Sequence, residues 1–152
     1  MEVRLSRRQL HVVVHQDASL SYEARRALLN GVPLIINVDT EVRDARSLTL
    51  LVDEVRRLEV RYLPLSKRFQ LSTPGEEGAS KNFPRLRHVL AELDELDLVM
   101  GTGPLAPGDY EFRVRVRLDR SSLPMPLQLP AALNRAWRHD SGWSQWPFKV
   151  SA

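Results

Sequence analysis

Apolar and polar positions alternate with a period of two along most of this chain, and a helical period replaces it in two places. Residues 2 to 16 read as a hairpin: Val3 and Leu5 alternate with charged residues, a turn falls at residues 6 to 8, and Leu10, Val12 and Val14 share one face. Ser21 then supplies the N-cap of a short helix. Its Ala24, Ala27 and Leu28 point inward, Arg25 and Arg26 point outward, and Asn30-Gly31 stops it ahead of Pro33. Alternation returns over residues 34 to 42, with Leu34, Ile36, Val38, Thr40 and Val42 on one face and Asn37, Asp39 and Glu41 on a wet one. Residues 50 to 62 carry both periods: Leu51, Val55, Leu58 and Tyr62 have helical spacing, whereas Leu58, Val60 and Tyr62 alternate. Strand is the better reading, at least from Arg57 onward. Residues 64 to 67 make a turn and residues 68 to 72 return as the hairpin partner.

Residues 73 to 81 form a polar, glycine-containing loop, expected to be the mobile segment. A second helix is expected to start at Asn82 or Phe83, with Pro84 in its first turn, and to bury Leu86, Val89, Leu90 and Leu93 before ending near Leu96. A loop over residues 101 to 108 leads into the cleanest strand of the chain, where Tyr110, Phe112, Val114, Val116 and Leu118 oppose Arg113, Arg115 and Arg117. Leu123-Pro124-Met125-Pro126-Leu127-Gln128 reads as a stiff strap on the fold's own surface. Ser141-Gly142-Trp143-Ser144-Gln145-Trp146-Pro147-Phe148 reads as a closing aromatic clasp with Trp146 and Phe148 turned inward. No parallel strand-helix-strand rhythm emerges. The expected fold is α+β, mainly an antiparallel β-sandwich or strongly curved sheet with two helices packed on it, as a single domain over residues 1–152.

Composition narrows the chemistry more than it identifies it. The 152 residues contain no cysteine, which removes disulfides, thiolate metal sites and a cysteine nucleophile. No apolar run is long enough to span a membrane as a helix. The net charge of +3 is mild, and the basic residues, overwhelmingly arginine, are spread along the chain. That distribution, with no recognisable nucleic-acid module, argues against nucleic acid as a partner.

The candidate sites are few. His11 and His15 would share a helix face, but on a strand rising about 3.3 Å per residue they lie about 13 Å apart, too far for one ion. No metal is expected. Arg113, Arg115 and Arg117 form a comb of guanidinium groups about 6 to 7 Å apart, suited to anions or an acidic partner. Plain pairing with Asp39, Glu41 and Glu59 on neighbouring strands is the favoured reading of the comb, and a binding stripe with Trp143 the functional one. Trp137, Trp143, Trp146 and Phe148 read first as anchors of the tail, and Pro124, Pro126 and Pro130 as its strap. There is no glycine-rich phosphate loop, nucleophile elbow or metalloprotease helix, so neither a cofactor nor an enzymatic activity is expected. Glu92, Asp94, Glu95 and Asp97 fall on the expected solvated face of the second helix.

From residue 31 to 148 the chain resembles a family of exported proteobacterial proteins catalogued as domain of unknown function four-three-nine-zero, often labelled proline-rich signal peptide protein. The resemblance is carried in order by Gly31-Val32-Pro33-Leu34, by Arg61-Tyr62-Leu63-Pro64-Leu65-Ser66-Lys67-Arg68-Phe69, by Leu118-Asp119-Arg120-Ser121-Ser122-Leu123-Pro124-Met125-Pro126-Leu127-Gln128 and by the 141–148 motif. A lysine is usual where Met125 stands, and Ser47-Leu48-Thr49-Leu50-Leu51 occupies the place of a tryptophan-rich run. The resemblance implies a periplasmic protein whose leader has been removed, consistent with a start already inside a strand. It also implies a link to a membrane sensor kinase of a two-component system. The expected function is an exported binding or interaction module, with a hydrolase or transferase acting on an envelope polymer as the alternative.

Overall fold

The first hairpin forms as its alternation dictates, and it becomes half of a smaller sheet. The computed structural model describes residues 2–6, 8–76, 78–126 and 140–151. Strands β1 (Glu2–Ser6) and β2 (Gln9–His15) pair antiparallel, and β2 also pairs with β7 (Glu95–Gly101), giving the order β1-β2-β7. A second antiparallel sheet has the order β6-β5-β4-β3-β8-β9, built from β3 (Leu34–Asp44), β4 (Leu50–Leu63), β5 (Arg68–Ser72), β6 (Lys81–Phe83), β8 (Gly108–Leu118) and β9 (Ser144–Val150). The two helices are α1 (Tyr22–Leu29) and α2 (Leu86–Asp94). The α+β, mainly antiparallel fold is as expected.

One face of the larger sheet carries everything that is packed on it. Over one half, Val38, Val42, Val52, Phe112 and Val114 meet Leu10, Val12, Val14, Leu96, Leu98 and Met100 of the smaller sheet. Over the other half, Leu34, Ile36, Val60, Phe69 and Leu118 meet Ala24 and Leu28 of α1 and Val89 and Leu93 of α2. Two layers thus share one apolar face, which is how a sheet with alternating residues hides its hydrophobic side. Helix α1 starts where Ser21 accepts a hydrogen bond from the Ala24 amide (3.1 Å) and ends before Gly31, whose φ of +89° suits glycine.

The strand reading of residues 50–62 holds and extends, and two expectations about the second helix need correcting. Strand β4 runs over all of Leu50–Leu63, because its first half lies in register against β3, from Leu50 opposite Arg43 to Val60 opposite Leu34. The helical spacing of Leu51, Val55 and Leu58 loses to that ladder, and Val52 and Val60 are the buried residues instead. Helix α2 begins at Leu86 after Arg85 as N-cap, since Lys81–Phe83 is taken up as edge strand β6 against β5. It stops at Asp94, where the period changes: Leu96, Leu98 and Met100 alternate and pair residue by residue with β2. Glu95 and Asp97 therefore sit on a strand, not on a helix face.

Candidate functional site

The opposite face of the larger sheet carries the arginine comb, and its charges follow from strand register. Pairing of β3 with β8 sets Glu111 opposite Arg43, Arg113 opposite Glu41, Arg115 opposite Asp39 and Arg117 opposite Asn37. Arg43 Nε donates to Glu111 (2.8 Å) and Arg113 Nη1 to Glu41 (2.8 Å), straight across the ladder. Asn37 cannot neutralise Arg117, so Arg117 leans diagonally and its Nε donates to Asp39 (2.7 Å). Arg115 loses its opposite carboxylate by this shift and turns to Asp140, with Nε donating at 2.9 Å. Each comb residue thus has a carboxylate partner; Glu59, also considered from the sequence, pairs with Arg61 of its own strand. Asn37 and Asp39, expected on a wet face, are each only 7% exposed.

The Arg115–Asp140 pair fastens the C-terminal segment to β8. The hydrogen bond from Arg115 pulls the Asp140 carboxyl down to about 2, against the opposing effect of burial. The same contact raises Arg115, and the hydrogen bond to Asp39 raises Arg117. The Ser141 amide donates to the Val116 carbonyl (2.8 Å) and the Val116 amide to Ser141 Oγ (2.9 Å). Gly142, at φ +68°, turns its amide back to Asp140 Oδ1 (2.9 Å). Trp143 lies over the Arg113 guanidinium, 4.5 Å from ring centroid to Cζ, and remains 37% exposed. In β9, Trp146 then stacks on Phe112 (6.1 Å) and Phe148 on Tyr110 (5.6 Å), facing inward as expected. Trp137 and Pro130 lie outside the described residues.

Other predicted groups are dispersed. His11 and His15 both lie on β2, and His11 Nε2 pairs with Asp97 on β7. Among the described residues no group of three or more potential metal ligands converges. Of the acidic residues, Glu92 pairs with Lys81 (3.4 Å) and Asp94 accepts from the Ala18 amide (2.6 Å). A cleft of about 230 Å³ between the 16–20 connection and the end of β8 includes Asp17 and Asp140 in its wall. Asp140 is already committed to Arg115 there and is held ionised, which makes it a poor proton donor near neutrality.

The tip between β3 and β4, which holds the 47–51 run, stands out in the structure. The Asp44 carboxylate accepts from the amides of Ser47 and Arg46 (2.8 Å each), contacts that lower its pKa, and the Leu48 amide donates to the Asp44 carbonyl (2.9 Å). That closure puts Leu48 at φ +60°, a left-handed position where glycine or asparagine is the ordinary choice. The leucine side chain is nonetheless 57% exposed, and Leu50 (46%) and Leu51 (43%) lie beside it. A β-bulge, where pairing slips between Val42 and Arg43, accompanies Leu50 and Leu51 at this end. Their run of leucines was visible in the sequence, but its exposure was not.

Among the described residues, no helix is long and apolar enough to cross a membrane. No curated protein and no solved structure matches the chain. One family, described as Domain of unknown function (DUF4390), matches over residues 1–147, and the protein belongs to it.

Proposed function

We propose that this protein is a non-enzymatic interaction module that presents the β3–β4 tip to a protein partner. The carrying observation is Leu48: a branched side chain held at φ +60° and 57% exposed, flanked by exposed Leu50 and Leu51. A left-handed L-residue costs about 1 to 2 kcal/mol and an exposed leucine returns little burial, so the fold gains nothing by keeping it. Apolar side chains clustered at a rigid hairpin end suit insertion into an apolar groove of a partner. Trp143 and the arginine comb, whose charges are internally paired, are not the anchor in this reading.

The setting proposed is the periplasm, with an envelope protein such as a sensor kinase's periplasmic domain as the partner, on the strength of the resemblance in the 118–128 and 141–148 motifs. The alternative, an enzyme acting on an envelope polymer, has weaker support because the acidic cleft commits Asp140 to Arg115. The test is photocrosslinking from the envelope fraction, with a photoreactive residue at position 51 and a control at position 65. A discrete product from position 51 that disappears on Leu48→Ser/Leu50→Ser, with an unchanged melt, is expected. Equal labelling from positions 51 and 65 would overturn the reading.

A further inference from the structure

Strand β4 has a half-open edge. Its residues 59–63 pair with β5, but residues 50–58 are paired on the β3 side alone among the described residues. A groove of about 370 Å³ lies along this edge, lined by residues 54–57 of β4, by Thr73, Pro74 and Glu76 after β5, and by residues 98–100 of β7. Open edges are places where a further strand adds, and exposed charges are the usual protection against it. Here the charges have an order: Asp53-Glu54-Val55-Arg56-Arg57 reads two acids, one apolar residue, two bases, and all five residues are exposed.

We propose that this edge pairs antiparallel with the same edge of a second copy, about a two-fold axis at Val55. In that register Asp53 faces Arg57 of the partner subunit, Glu54 faces Arg56 of the partner subunit, and Val55, itself 55% exposed, faces its own copy. Opposite residues also fall on matching faces, because Asp53, Val55 and Arg57 share the outer face of the sheet and Glu54 and Arg56 the inner. Moving the axis by one residue would set Glu54 on Glu54 or Arg56 on Arg56, so charge selects the Val55 register. The carboxylates of Asp53 and Glu54 have no ion pair among the described residues. Arg56 Nη1 reaches the Asp97 carbonyl (3.1 Å), and Arg57 Nη2 reaches Ser122 Oγ (3.2 Å) and Asp119 (3.5 Å). These are exposed contacts for which a facing carboxylate competes. Because β5 occupies the edge from Glu59 onward, the pairing is short, confined to the charged stretch and its immediate neighbours, and the association is correspondingly weak and reversible. This inference uses the strand edge and stands apart from the partner reading of the tip.

Sedimentation equilibrium of the full chain is expected to show a reversible dimer that dissociates at least tenfold more readily in high salt. Two charge variants test the register. Asp53→Lys/Glu54→Lys makes the stretch wholly basic and Arg56→Glu/Arg57→Glu makes it wholly acidic. Each variant alone should be monomeric, and an equimolar mixture should dimerise. Since the chain has no cysteine, Val55→Cys on an otherwise unaltered chain gives an independent reading: oxidation should yield a covalent dimer, and Leu65→Cys on the exposed turn should not. A wild-type chain that stays monomeric at millimolar concentration would overturn the proposal. So would charge variants that dimerise alone as the wild type does, or equal crosslinking from positions 55 and 65.

Discussion

The two faces of the six-stranded sheet are built from the same strands and do opposite work. On the inner face Val38, Val42, Phe112 and Val114 are 0 to 4% exposed under the smaller sheet, and their neighbours lie under the helices. On the outer face acids of β3 oppose arginines of β8, with the signs exchanged at Arg43 and Glu111, and there are four arginine–carboxylate pairs (Arg43–Glu111, Arg113–Glu41, Arg117–Asp39 and Arg115–Asp140). The inner face derives its stability from area removed from water, at about 25 cal/mol per Å². The outer face contributes little net energy per pair but specifies register: a slip of one residue would set the arginines against the hydrophobic row. Strand order is thus stabilised on one side and selected on the other.

The largest expected effect comes from breaking the inner face. Phe112→Ala removes a side chain with no exposed area from beneath the smaller sheet and should cost about 3 to 5 kcal/mol in urea unfolding. Trp146→Ala, at the half-buried margin where its ring stacks on Phe112, should cost about 2 kcal/mol and lower the melting temperature. A cost as large as that of Phe112→Ala would show the tail to be integral to the core rather than a clasp over its margin.

Substitutions on the outer face should act more gently. Arg113→Ser leaves Glu41 without its cation and Trp143 without its guanidinium, a loss of about 1 to 2 kcal/mol; combining it with Glu41→Gln should recover part of that in a double-mutant cycle. Asp140 offers a pH test. Its folded-state pKa is depressed, so its contribution is complete above the ordinary carboxylate range and is lost as pH falls from about 4 through about 2. Asp140→Asn should therefore flatten the acid limb of the stability curve, by about 1 kcal/mol or less because the pair is partly solvated. Leu48→Gly should change stability least, raising it by under about 1 kcal/mol by releasing the left-handed strain, while abolishing partner crosslinking from the tip. A stability loss instead would mean that the leucine serves the fold.

The cleanest alternations were legible in full. The 110–118 strand, the 34–42 strand and the first hairpin each repeat over enough residues to exclude a helix, and Ser21 and Gly31 mark both ends of α1 by their own chemistry. Strand β7 was not legible because a helix with a strong apolar stripe runs into it without an intervening turn residue. The first half of β4 was ambiguous because its charges fall on both faces, with only Val52 buried among its first eight residues. At the candidate site, the comb and its carboxylate partners Asp39 and Glu41 could be anticipated from alternation alone. The diagonal shift to Asp39, the recruitment of Asp140 and the exposed tip depended on which residues face one another across the ladder.

What the sequence by itself determined was local: the period of each strand, the caps of α1, the segregation of arginine from valine on β8, and the absence of thiol chemistry. Those are short-range consequences of backbone geometry and side-chain type, so neighbours in the chain suffice to read them. Tertiary structure alone decided which apolar face is shared by two layers, which carboxylate each arginine finds, and where, among the described residues, part of a strand edge stays unpaired and three leucines stay exposed. Each of these depends on residues far apart in sequence brought to within a few ångströms, where packing and Coulomb attraction act between elements and no local pattern records the outcome.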